Sequence, residues 1–120
     1  MTLSELITMV DTVRPNQYDT ASKTAWFNEV EFRIYEEVLN RASENNVEFK
    51  PFDYAVDYDR EVYLPSQFTD VYTNYICAKI DFANAEIERY NNDVASFEGS
   101  WSAFASWYRR HNFPKKCNEK

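Results

Sequence analysis

Residues 76–108 read ICAKIDFANAEIERYNNDVASFEGSWSAFASWY, and their periodicity decides the fold. Ile76, Ile80, Ala83, Ile87, Tyr90, Val94, Phe97, Trp101, Phe104 and Tyr108 fall at alternating steps of four and three, the heptad seam of an α-helix. The phase holds through Asn91-Asn92-Asp93 and past Gly99, all off the seam, so the spacing predicts one long or gently bent helix in preference to a hairpin. Continuous from 66 to 110, it would be about 68 Å long. Any break is expected at Asn91 to Asp93, where helix propensity is lowest and capping side chains are at hand. Tyr, Phe and Trp at successive seam positions are too bulky for a plain two-stranded coil. They fit a bundle or ring interface better, with a purely intramolecular core as the alternative.

Residues 43–65 lose the helical period. Phe52, Tyr54, Val56 and Tyr58 alternate as in a short extended strand, and Asp57, Asp59, Arg60 and Glu61 surround a turn, so a long loop or short β-ribbon is predicted between helices. The carboxylates at 53, 57, 59 and 61 lack the glycine and the terminal glutamate spacing of a calcium loop, and read as a solvated acidic surface. From about Thr20 to Ser43 a run without Gly or Pro predicts a helix capped by Asp19 or Thr20. Its apolar residues, Trp26, Phe27, Val30, Phe32, Ile34, Tyr35, Val38, Leu39 and Ala42, spread over roughly two-thirds of the circumference. That is wider than one packing partner needs, so this helix is either central in its own fold or shared with a neighbouring subunit. Thr2 and Glu5 have capping-box spacing, and Leu3, Leu6, Ile7, Val10 and Val13 predict a short first helix ended by Pro15.

These elements make an all-α protein: a small helical bundle with a long C-terminal helix, a single helical domain over 1–110, and a basic tail over 111–120. Its 120 residues suit one domain, and an aromatic content of 18% is too high for a disordered chain. Charge is divided unevenly. Residues 1–108 carry 8 Lys/Arg against 19 Asp/Glu, a net of -11, whereas 109–120 carry 5 against 1, a net of +4. So acidic a body repels nucleic-acid phosphate and argues against sequence-specific DNA binding. With Gly99 the one glycine, a glycine-rich nucleotide loop is excluded, and with His111 the one histidine no second imidazole is present for zinc. Cys77 and Cys117 have no disulfide-framework spacing and are expected to be free thiols. No apolar run approaches the roughly 18 residues of a membrane span and no signal peptide opens the chain, so a soluble product made in a cytoplasm is expected.

No carboxylate pair stands out as an acid/base couple, and a nucleophile built from Cys77 or Cys117 with His111 would depend on the basic tail for its geometry. Lys79 and Glu86 flank the seam and are expected to select a partner helix's register. No reaction, cofactor or metal is predicted. Trp107-Tyr108-Arg109-Arg110 combines aromatic and basic groups that can stack on single-stranded bases, a weak signal on so acidic a protein.

The run Glu61-Val62-Tyr63-Leu64-Pro65-Ser66-Gln67-Phe68-Thr69-Asp70-Val71-Tyr72, followed by Tyr75, Ala78-Lys79-Ile80-Asp81, Asn84, Glu86, Arg89-Tyr90-Asn91-Asn92, Phe97 and Trp107-Tyr108-Arg109-Arg110, resembles small head-tail connector (adaptor) proteins of long-tailed bacteriophages. The likeness covers about half the chain, strongest from 59 to 110, with weaker support from Val13-Arg14-Pro15-Asn16 and Trp26-Phe27-Asn28-Glu29. Such adaptors are helical proteins that form rings, commonly dodecameric, beneath the portal and extend the DNA channel towards the tail. The resemblance therefore implies a structural virion protein, made in the host cytoplasm, whose partners are further copies of itself, the portal protein and a tail-side stopper protein. DNA would pass without sequence-specific binding. The expected protomer interface is Trp26, Val30, Ile34, Tyr35, Leu39, Ile87, Tyr90, Phe97, Trp101 and Phe104. Expected partner contacts are Phe52, Tyr54, Tyr58 and Tyr63 in the loop, and Arg109, Arg110, Lys115 and Lys116 in or beside the tail. The alternative function is a small phage regulatory or inhibitory protein that binds a host protein, including by acidic mimicry of DNA.

Overall fold

The computed structural model describes residues 1–39 and 49–112. Its first helix, α1 (Leu3–Val13), starts on the expected capping box. The Glu5 N–H donates to Thr2 Oγ1 at 3.3 Å, and the Thr2 N–H to Glu5 Oε1 at 3.0 Å. Leu3, Leu6, Ile7 and Val10 form its buried stripe, and the helix stops at Arg14 because Pro15 disfavours helical geometry before it. Asp19 then caps α2 (Thr20–Ile34) by accepting the Ser22 N–H at 2.8 Å. A π-helical turn, Tyr35–Leu39, continues α2, and the rest of the helix expected to reach 43 lies outside the described residues.

The alternation at 52–58 does not make a strand. Asp53 accepts the Ala55 N–H at 3.2 Å while Asp57 accepts the Asp53 N–H at 2.8 Å, and this closes a one-turn helix, α3 (Tyr54–Asp57). Two short polar side chains thus outbid a period-two apolar pattern too brief to find a partner strand. Among the described residues, β pairing is limited to an isolated antiparallel bridge between Thr2 and Glu61. A 3-10 turn, Ser66–Phe68, leads into α4 (Asp70–Ala83), and α5 (Ile87–Asn112) follows.

Helices α4 and α5 are two limbs of an antiparallel hairpin where one continuous helix was expected. Phe68 meets Phe104, Tyr75 meets Phe97, and Phe82 meets Tyr90, with ring centroids 5.2–5.5 Å apart. The break lies at Asn84–Glu86, not at 91–93, which are inside α5. Asn84 is the C-cap and Ala85 adopts φ 59. The Ala85 N–H donates to the Phe82 carbonyl at 3.1 Å, and the Glu86 N–H to the Asp81 carbonyl at 2.9 Å. That is the Schellman closure of a helix end, with alanine in the left-handed position that glycine usually fills. The heptad phase survives the turn because both limbs direct the same seam inward, so periodicity alone does not reveal the reversal.

The architecture is all-α with a long last helix. One core joins α1, α2, the Val62–Leu64 segment and both limbs of the hairpin, through Leu6, Val10, Phe27, Ile34, Ile76, Ile80, Phe97 and Phe104 among others. Helix α2 packs on both α1 and α4, which accounts for its wide apolar face. No helix among the described residues is long and apolar enough to cross a membrane.

Candidate functional site

The closed end of the hairpin is apolar and open to solvent. Phe82 is 63% exposed and Ile87 56% exposed, one on either side of the turn, and Phe82 packs at a tilt against Tyr90. Glu86, Glu88 and Arg89, all exposed, supply a rim of mixed charge. An apolar end with a polar rim is the composition of an association surface.

Directly beneath this end lies a carboxylate pair. Arg14, just past α1, is ion-paired with Asp81 on α4 and with Asp93 on α5, the latter at 3.2 Å. Three elements therefore meet at one guanidinium. Asp81 is 1% exposed; Arg14 reaches its Oδ2, and its Oδ1 has no hydrogen-bond partner in the structure. Burial pushes Asp93 up to about 6, reinforced by the neighbouring Asp81 carboxyl and opposed by Arg14. The neighbouring Cys77 is a buried free thiol, raised to about 11 by burial. Alongside, Tyr18 Oη lies 2.7 Å from Asn84 Oδ1, so the α1–α2 connection is also tied to the hairpin turn.

A second buried carboxylate sits towards the start of α4. Glu31 on α2 is fully buried; its Oε1 accepts the Tyr72 hydroxyl at 2.6 Å, and its Oε2 accepts the Tyr63 N–H at 2.8 Å. Tyr72 Oη in turn accepts the Leu64 N–H at 3.0 Å. Burial raises Glu31 to about 7 although both hydrogen bonds favour its charged form, and it holds the Tyr72 hydroxyl well above the usual phenol range. This network fastens residues 63–64 to α2 and α4.

Several residues expected at a protomer interface are covered within the chain. Val30, Ile34, Phe97 and Phe104 are buried in the core, because the hairpin turns the seam back onto its own limbs and onto α2. Trp101 is half-buried beneath the Arg33 guanidinium, 4.3 Å from its ring centre. Trp26 packs on Tyr18, Tyr35 on Phe32 and Phe49, and Leu39 lies in the π-helical turn. Ile87 and Tyr90 are brought together at the hairpin end. Lys79 pairs with Glu29 on α2 at 2.9 Å, a charge contact with a packed helix of the same chain.

Of the expected partner contacts, Phe52 is 4% exposed, wedged against Phe27 and covered by Arg60 at 3.7 Å. Tyr63 is half-buried. Tyr54 and Tyr58 meet at a tilt, ring centroids 6.2 Å apart, with Tyr58 and Val56 exposed. Arg109 and Arg110 are exposed on the last turn of α5, where they also complement its dipole, and Lys115 and Lys116 lie outside the described residues. Three of the four loop carboxylates have partners: Asp53 and Asp57 hold α3 as described, and Glu61 receives the Met1 ammonium at 2.8 Å.

Sequence reasoning missed Glu31, Asp81 and Asp93. The available signal was a carboxylate within a core stripe: Glu31 interrupts Phe27, Val30 and Ile34, and Asp81 follows Cys77 by one turn. Comparison with protein-family models, curated proteins and solved structures finds no match.

Proposed function

We propose that the protein works by association, as a structural virion component of the head-tail adaptor kind, forming a ring on the portal and extending the DNA channel towards a tail-side stopper protein. Support comes from the resemblance over 59–110, and the observation that carries it is the exposed hairpin end, Phe82, Ile87 and Tyr90, which lies within that stretch. Apolar groups of this size left in water favour a second surface that covers them. The acidic body suits a channel wall from which DNA is repelled.

The test is assembly. Purified protein is mixed with the portal protein of the same genome and followed by light scattering and negative-stain microscopy, alongside the double variant Phe82→Ser, Ile87→Ser. Rings on the portal that form with the wild type and not with the variant are expected, while the variant's melting stays within about 0.5 kcal/mol of wild type because both positions are exposed. A wild type that neither self-associates nor binds the portal, and is missing from purified virions, overturns the reading. Recovery of a single host protein in place of the portal would favour the inhibitory alternative.

A further inference from the structure

We infer that a proton shared between Asp93 and Asp81 beneath Arg14 is a latch that holds the end of the hairpin closed against α1, and that its loss frees that end to reorient when the protein associates. The functional half of this inference rests on the association reading above; the latch itself rests on two carboxylates meeting one guanidinium, with the raised Asp93 beside that geometry.

Arg14 joins the end of α1 to α4 and α5 through two carboxylates, and Asp81 directly precedes Phe82 in the chain. Asp93 lies one turn beyond Tyr90, the ring that packs on Phe82. The residues that hold the turn and those that present the apolar end are thus the same short stretch of two helices. With one proton on the pair, a neutral Asp93 carboxyl donates to Asp81, and the remaining carboxylate is balanced by Arg14. Without that proton, two carboxylates face one guanidinium in a largely buried space, where the uncompensated charge favours opening.

From α1, Arg14 contacts both carboxylates, whereas Asp11 is held by Asn16 and by the buried Lys23 of α2 at 2.6 Å, leaving Lys23 committed elsewhere. From α4, Cys77 is neutral at any physiological pH. Glu86 in the turn and Glu88 and Arg89 on α5 are exposed. Asp93 is therefore the group whose protonation changes near neutrality, with its midpoint lifted from 3.8 to about 6 in the closed form. A raised carboxyl stabilises closure fully below its ordinary midpoint, and that stabilisation is lost as pH rises through the closed-form midpoint.

Hydrogen exchange of amides 84–93 in the full chain, corrected for intrinsic rates, tests the latch between pH 4 and 7.5 in wild type and Asp93→Asn. The shift predicts an opening equilibrium that rises about 100-fold across this range in the wild type. The variant, whose amide supplies a donor for Asp81 in place of the proposed proton and does not titrate, should show a flat profile. Glu31 is common to both proteins and cancels. Parallel profiles in the two proteins overturn the latch. Should the variant fail to fold, the side-chain carboxyl resonance of Asp93 in the wild type decides: a midpoint near 6 upholds the latch and one near 4 overturns it. Oligomer size is measured separately over the same pH range. A chain that stays monomeric throughout removes the association reading while the exchange result stands, and oligomers with parallel exchange profiles remove the latch alone.

Discussion

Replacing Glu31 by Gln should change how the protein's stability depends on pH, and the sign follows from the burial of the carboxyl. Glu31 is fully enclosed, with its midpoint lifted from 4.5 to about 7, so the folded chain binds a proton more readily than the unfolded chain. Its contribution is therefore fully present below pH 4.5 and is lost as pH rises towards and through 7. Between pH 4 and 8 the loss is about 3 kcal/mol, a sizeable part of the stability of a domain this small. Gln titrates nowhere in this range. Its amide oxygen accepts one of the two donors, Tyr72 Oη–H and Tyr63 N–H, and its NH2 group faces the other, a mismatch that costs about 1–3 kcal/mol at every pH. The variant should thus be less stable than wild type at pH 4, and the difference should shrink or reverse by pH 8. Urea unfolding of both proteins at half-unit pH intervals measures this, and subtracting the curves cancels Asp93 and the surface carboxylates. Parallel curves would show that Glu31 does not titrate in this window and would refute the reasoning.

Ala85→Gly should raise stability by about 0.5–1 kcal/mol, since relief of the left-handed alanine outweighs glycine's larger unfolded entropy; a thermal melt that drops would place the turn elsewhere. Phe104→Ala, at a ring 1% exposed, should cost about 3–5 kcal/mol, whereas Trp101→Ala should cost clearly less because that indole is half open and lies beneath Arg33; denaturant unfolding that ranks them in the opposite order contradicts the packing.

Local structure was legible where its cause is local. The Thr2–Glu5 box, the Asp19 cap and the stop ahead of Pro15 each involve groups a few residues apart, and each is found as read. The apolar seam also stands as the inward face of the last two helices at Ile76, Ile80, Phe97 and Phe104, while Ala83 and Ile87, beside the turn, are left exposed. The alternation at 52–58 gives no ribbon because strand periodicity in so short a run competes with Asp side chains that close a turn, and the turn forms within five residues.

The primary sequence alone determined an all-α protein with a long last helix, a wide-faced second helix and a strongly acidic body, because helix period and charge are properties of neighbouring residues. Tertiary structure decided the hairpin. The left-handed Ala85 carries a local cost of about 1–2 kcal/mol, and the gain that offsets it is packing of Phe97 and Phe104 against rings and helices distant in the chain. It also decided the candidate sites. Glu31 and Tyr72 are 41 residues apart, and Arg14 and Asp81 are 67 apart, so neither burial nor partnership is written in any local pattern. A carboxylate is perturbed by the surfaces that close over it, and those surfaces come together only when the helices pack.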